Sequence, residues 1–151
     1  MKTLRHCAVV VFLITISTAL TWADTPGKHP YYIHSLTDLR YARALLDRIT
    51  PSDKLTDEEQ HAIAEIDKAI NEIKQASIDD GKNLNSHPPV EGRLDHKGRY
   101  HRALELLDKV HRDIAREEDD AAIRGLRDRA IAHVDEAHRI VSHLIMQASS
   151  D

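Results

Sequence analysis

Aromatic and sulfur chemistry are nearly absent from this chain: 151 residues hold one Cys, one Trp, one Phe, two Met and four Tyr. Cys7, Phe12 and Trp22 all precede residue 24, so the chain beyond Ala23 has no Cys at all. That excludes a disulfide framework, a thiolate metal ligand and a Cys-x-x-Cys-His haem attachment for this part. Gly and Pro are scarce too, at five each, and no segment alternates apolar and polar residues as a half-buried strand would. What remains is a sequence rich in Ala, Leu, Ile and charged residues, which points to helix.

The first residues read as an export address. Lys2 and Arg5 form a basic start, Cys7–Leu20 is apolar, and Thr21-Trp22-Ala23 offers a small-residue cleavage site. The apolar run of 14 residues falls short of the roughly 20 that span a bilayer. Residues 1–23 are therefore expected to be a cleaved signal peptide and 24–29 a polar leader, with a periplasmic or secreted product and retention as an uncleaved anchor as the alternative. Cleavage would take two bases and no acids, leaving 19 Lys and Arg against 25 Asp and Glu, a net charge of −6 with His neutral. Acids and bases alternate throughout, so a nucleic-acid partner is not expected.

Apolar residues at three- and four-residue steps predict four helices, over about 30–49, 56–80, 95–116 and 120–147, with a long loop over 81–94. Pro30 suits a first turn, and Thr50-Pro51 ends the first helix. Its inward face is expected to be Tyr31, His34, Asp38, Tyr41, Ala42, Leu45 and Ile49. Thr56 and Glu59 form a capping box for the second helix, which turns Ala62, Ile63, Ile66, Ala69, Ile70, Ile73 and Ser77 inward. Gly81 is a candidate C-cap. Asp95 can cap the third helix, with His96, Tyr100, Ala103, Leu104, Leu107, His111 and Ile114 inward. The fourth presents Ile123, Ala130, Val134, Ala137, Val141 and Leu144, flanked by Ile131, His138 and Ile145.

Two halves resemble each other. AIAEIDKA at 62–69 answers AIAHVDEA at 130–137, and RYARAL at 40–45 answers RYHRAL at 99–104, although the second match slips in register against the inward faces. The expected fold is all-α, an up-down-up-down four-helix bundle made of two similar helical hairpins.

In that topology the starts of helices one and three and the ends of two and four share an end. It would gather His34, Asp38, Asp79, Asp80, His87, His96 and Met146. His34, Asp38, Asp80, His87 and His96 are the candidate metal ligands, for Zn²⁺, Cu²⁺ or Ni²⁺; no other cofactor is called for. The plainer reading leaves these residues as caps, solvated charges and half-buried imidazoles. A small anionic or peptide ligand, met by Lys82, Arg93 and the helix start at His96, is a further alternative. Glu59, His111 and Arg127 are expected to form a structural polar cluster at the other end.

Other motifs are weaker. Glu58-x-x-His61, Asp108-x-x-His111 and Asp135-x-x-His138 echo the Glu-x-x-His of dimetal bundles. His61 is expected to face solvent, and His111 and His138 to lie about eight residues apart in height, or about 12 Å, so no shared centre is expected. His133, His138 and His143 step by five and cannot line one face. Asp79-Asp80-Gly81 lacks the ligand spacing of a calcium loop. No nucleophile–base pair or phosphate-binding loop stands out, so an enzyme is not expected.

The segments HPYYIHSLTDLRYARALL, ASIDDGKNL followed by HPP, and LDHKGRYHRALELL with GLRDRAIAHVDEA resemble a family of small secreted bacterial helical proteins with no assigned activity. The resemblance implies an exported bundle and carries no site residues. The leading functional expectation is a non-enzymatic accessory or binding protein. A His-rich metal-binding protein for sequestration or tolerance is the second, and an extracytoplasmic chaperone or stress adaptor the third. A homodimer is an open alternative, and no membrane span is expected after cleavage.

Overall fold

A computed structural model describes residues 30–47, 54–76, 85–90, 92, 94–117 and 125–150. The signal peptide, the leader and the expectations for Ile49, Ser77, Asp79, Asp80, Gly81, Lys82, Arg93 and Ile123 lie outside these residues. The described chain is all-α, with four helices: α1 (Pro30–Leu46), α2 (Asp57–Ala76), α3 (His96–Ile114) and α4 (Leu126–Gln147). None of them is long and apolar enough to cross a membrane.

Local chemistry sets the helix starts. The Thr56 Oγ1 accepts from the Glu59 N–H at 3.1 Å, and a Glu59 carboxylate oxygen accepts from the Thr56 N–H at 2.8 Å, the reciprocal capping box that begins α2. Asp95 accepts from the Gly98 N–H at 2.6 Å. A Cβ on Gly98 would stand 2.9 Å from that same Asp95 oxygen, which explains a glycine in a first helical turn. Gly125, at φ 85°, turns the chain into α4. The fourth helix thus begins at Leu126, several residues later than expected.

The helices pack as a square in which α1 and α4 each lie beside both α2 and α3. Cross-helix pairs fix their directions. Asp38 pairs with Lys109, and the Tyr31 N–H donates to Glu117, so α1 and α3 are antiparallel. Glu58–His143, Glu65–His133 and Glu72–Arg129 make α2 and α4 antiparallel, and Asp108–His138 with His111–Asp135 does the same for α3 and α4. Glu59 meets both His96 and Tyr100, so α2 and α3 start at one end and run parallel. The bundle and its two hairpins are as expected, but the helices run up, down, down, up rather than up-down-up-down. Residues 77–95 join α2 to α3. A segment of that length reaches about 60 Å when extended, against about 30 Å for α2, so the joint can cross the bundle's length where a short loop would force antiparallel neighbours.

The core follows the apolar stripes. Ala62, Ile63, Ile66, Ala69, Ile70 and Ile73 of α2 are buried as expected, as are Tyr100, Ala103, Leu107 and Ile114 of α3 and Ala130, Val134, Ala137, Val141 and Leu144 of α4. The face of α1 is as expected at Tyr41, Ala42 and Leu45, all buried, and differs elsewhere. Tyr32, Ser35, Leu36, Leu39 and Leu46 are inside, whereas Tyr31 is 37% exposed and His34 faces solvent. Burying Leu36 and Leu39 removes more apolar surface from water than burying His34 and Asp38, and that stripe wins.

The duplication obeys one shift of 68 residues for both helices of the hairpin. It carries Ala62 onto Ala130, Tyr32 onto Tyr100, Leu39 onto Leu107 and Leu46 onto Ile114, all buried. It also carries the α1–α2 pair Arg43–Asp67 onto the α3–α4 pair His111–Asp135. Glu65 and its equivalent His133 touch each other at 2.7 Å, as residues beside a two-fold axis do. The RYARAL and RYHRAL match does not carry over, because Arg40 lies in mid-helix and Arg99 in a first turn.

Candidate functional site

Imidazole–carboxylate pairs occupy two of the four seams, α2–α4 and α3–α4, and also link the starts of α2 and α3, and the expected site residues fall in separate places. His34 and Asp38 lie in the first half of α1, where Asp38 is held by Lys109. His96 stands at the start of α3, 13 residues from Lys109, which is about 20 Å along the helix. His87 stacks on Tyr41 with ring centroids 6.3 Å apart and donates from Nδ1 to the Pro88 carbonyl at 2.6 Å. It borders a cavity of about 380 Å³ walled by Arg40, Arg43, Ala44, Asp47, Asn85 and Val90. Asp80 is outside the described residues, and the other four candidates do not gather at one end.

The expected cluster of Glu59, His111 and Arg127 is also divided. Glu59 is 1% exposed. One carboxylate oxygen takes the Tyr100 hydroxyl at 2.7 Å and His96 Nε2 at 2.8 Å, and the other takes the Thr56 N–H. Burial alone pushes this carboxyl up, but the hydrogen bonds from Thr56, His96 and Tyr100 outweigh it and hold it below the usual carboxylate range. Burial, with the Glu59 bond second, raises the Tyr100 hydroxyl well above the ordinary phenol. This group ties the cap of α2 to the first turns of α3. Arg127 instead donates to the Glu117 carbonyl at 3.1 Å.

His111 belongs to a different constellation. The groove between α3 and α4 has a cavity of about 270 Å³ lined by Leu107, Asp108, His111, Val134, Asp135 and His138. Nδ1 of His111 lies 2.7 Å from Asp135, and Nε2 of His138 lies 3.1 Å from Asp108. Each helix contributes Asp-x-x-His, and because the helices are antiparallel each Asp meets the other helix's His. The two imidazoles are level to within three residues, about 4.5 Å of rise, rather than the 12 Å expected from a fourth helix starting at residue 120. The Asp-x-x-His spacing was the available signal, and the later start of α4 concealed its meaning.

A further polar group lies on the α2–α4 seam. Buried Glu65 takes His133 at 2.7 Å and Lys68 at 2.7 Å, with His61 at 3.6 Å. Burial opposes its charge, yet Lys68 and His133 hold its carboxyl below the usual range. The ammonium already on this carboxylate makes it a poor place for a cation. Among the described residues no three His, Cys, Asp or Glu side chains converge as a ready-made ion site. No family model, curated protein or solved structure matches the chain.

Proposed function

We propose that this chain is an exported helical-bundle binding protein that sequesters a divalent transition-metal ion in the groove between α3 and α4 rather than catalysing a reaction. One observation carries the reading: Asp108, His111, Asp135 and His138 line one cavity, each Asp facing the other helix's His. Imidazole with carboxylate suits Zn²⁺, Cu²⁺ or Ni²⁺, whereas Mg²⁺ and Ca²⁺ want oxygen donors alone. The same residues could serve as ordinary surface ion pairs, but such pairs contribute little to stability, at most about 1 kcal/mol each. Their concentration around a cavity floored by Leu107 and Val134 favours a ligand role.

Calorimetric titration of the purified chain with Cu²⁺, Ni²⁺ and Zn²⁺ tests this. Saturable binding is expected, weakened at least tenfold by His111→Ala with His138→Ala and unchanged by His34→Ala with His96→Ala. Absence of saturable binding, or loss in the second double variant alone, contradicts the proposal.

A further inference from the structure

Resting on that reading, we infer that the ion is held by two imidazoles only, through Nε2 of His111 and Nδ1 of His138, with Asp135 and Asp108 as positioning residues that hold the rings. The remaining coordination positions then belong to water or to a small exogenous ligand, so the site is built for exchange.

Three features carry this. First, an ionised carboxylate has only acceptors, so in the neutral rings the nitrogen facing each aspartate carries the proton. The lone pair left over is on Nε2 of His111 and on Nδ1 of His138. Metal-bound histidines characteristically donate their other ring N–H to a carboxylate, which fixes the tautomer and ring direction. The groove holds two such carboxylate–imidazole units on facing helices.

Second, the spacing fits a shared proton better than a shared metal. Two donors on one tetrahedral ion at about 2.0 to 2.1 Å stand roughly 3.3 Å apart. The His111–Asp135 separation of 2.7 Å is a hydrogen-bond distance, and His138–Asp108 at 3.1 Å is also shorter than the metal spacing. The oxygen of each aspartate that faces an imidazole is therefore committed to orienting that ring.

Third, two donors leave an ion incomplete. Four-coordinate Zn²⁺ or a tetragonal Cu²⁺ would need at least two more ligands. All four side chains are between 37% and 56% exposed, so solvent has access to those positions. An ion held this way is available to a competing chelator, unlike one enclosed in a structural site.

The test uses the full chain loaded with one equivalent of Cu²⁺ and examined by pulsed electron paramagnetic resonance, which reads the remote nitrogen of each bound imidazole. Two equatorial imidazoles are expected. Asp135→Asn and Asp108→Asn should keep both imidazoles, shift the remote-nitrogen couplings and weaken binding 10- to 100-fold, the range typical of such outer partners. Both aspartates are more than half exposed, and circular dichroism confirms that each variant is folded. A single imidazole in the wild type, or loss of the bound ion in either Asn variant, overturns the inference while leaving metal binding in place. No Cu²⁺ bound by the wild type overturns both.

Discussion

The α1–α2 seam and the α3–α4 seam occupy equivalent positions in the two hairpins, yet they carry different chemistry. In the first, the Arg43 guanidinium binds Asp67 at 2.8 Å and Asp47 at 3.2 Å. Burial works against its charge, but the two carboxylates hold its pKa above the usual value. A guanidinium has donors only and no lone pair for a metal. In the second seam the same shift of 68 residues places His111 at the Arg43 position and Asp135 at the Asp67 position, while Asp108 replaces Arg40 and His138 replaces Ile70. One hairpin is closed by a permanent ion pair and a buried isoleucine, and the other presents two imidazoles on a groove. The repeat builds the bundle twice, and the imidazoles proposed as metal ligands stand in one copy.

Substitutions at equivalent positions test how far the likeness between the two hairpins extends. The largest effect is expected in the shared core: Leu39→Ala and its equivalent Leu107→Ala should each cost about 2 to 5 kcal/mol in urea unfolding, because both side chains are fully buried. Similar costs support the 68-residue equivalence, and a near-neutral result at either position breaks it. Next comes the asymmetric pair Glu59 and Arg127, also related by the shift. Glu59→Ala should cost about 2 to 3 kcal/mol, since Tyr100, Thr56 and His96 all lose a buried acceptor. Arg127→Ala, at a half-open site where the guanidinium meets the Glu117 carbonyl and the exposed Asp128 carboxylate, should cost under about 1 kcal/mol.

The Glu59 contribution has a pH signature. Its carboxyl is held below the unfolded value, so the stabilisation is present above the unfolded pKa of about 4.3 and is lost as pH falls through the folded value. Unfolding midpoints of the wild type should therefore drop on acidification below about pH 4 more steeply than those of Glu59→Gln. Parallel curves would mean that Glu59 is not the anchor described.

How much of this the sequence disclosed depended on how sharply each helix is divided. In α2 the isoleucines at 63, 66, 70 and 73 lie on one stripe, and every described apolar inward position was legible; buried Glu65 was not, because a carboxylate reads as solvent-facing until His133 and Lys68 are set against it. In α1, Tyr31, His34 and Asp38 form a helical row beside the true row of Tyr32, Leu36 and Leu39, so spacing alone did not choose between them. Helix direction was illegible for another reason. A joint over residues 77–95 is long enough to return locally or to cross the bundle, and composition does not distinguish the two. That one choice placed His34 near His96 in the expected topology and sets them at opposite ends in the structure. The capping box was readable from Thr56 and Glu59 alone, but the further role of Glu59, joining His96 and Tyr100, needs α2 and α3 to begin together. The Asp-x-x-His motifs were visible as well; their convergence was not, because it depends on where α4 begins, and Gly125 sets that point.

The smallest expected change in stability accompanies the sharpest functional one. His111→Arg makes the second seam resemble the first: a guanidinium can pair with Asp135 as Arg43 pairs with Asp67, so unfolding free energy should stay within about 1 kcal/mol of the wild type. The same substitution removes one of the two nitrogens proposed to hold the metal. The most direct measurement is Cu²⁺ titration of the wild type and His111→Arg side by side: one ion per wild-type chain, with at least tenfold weaker binding in the variant, is the predicted result, and equal affinity in the two proteins would contradict the account.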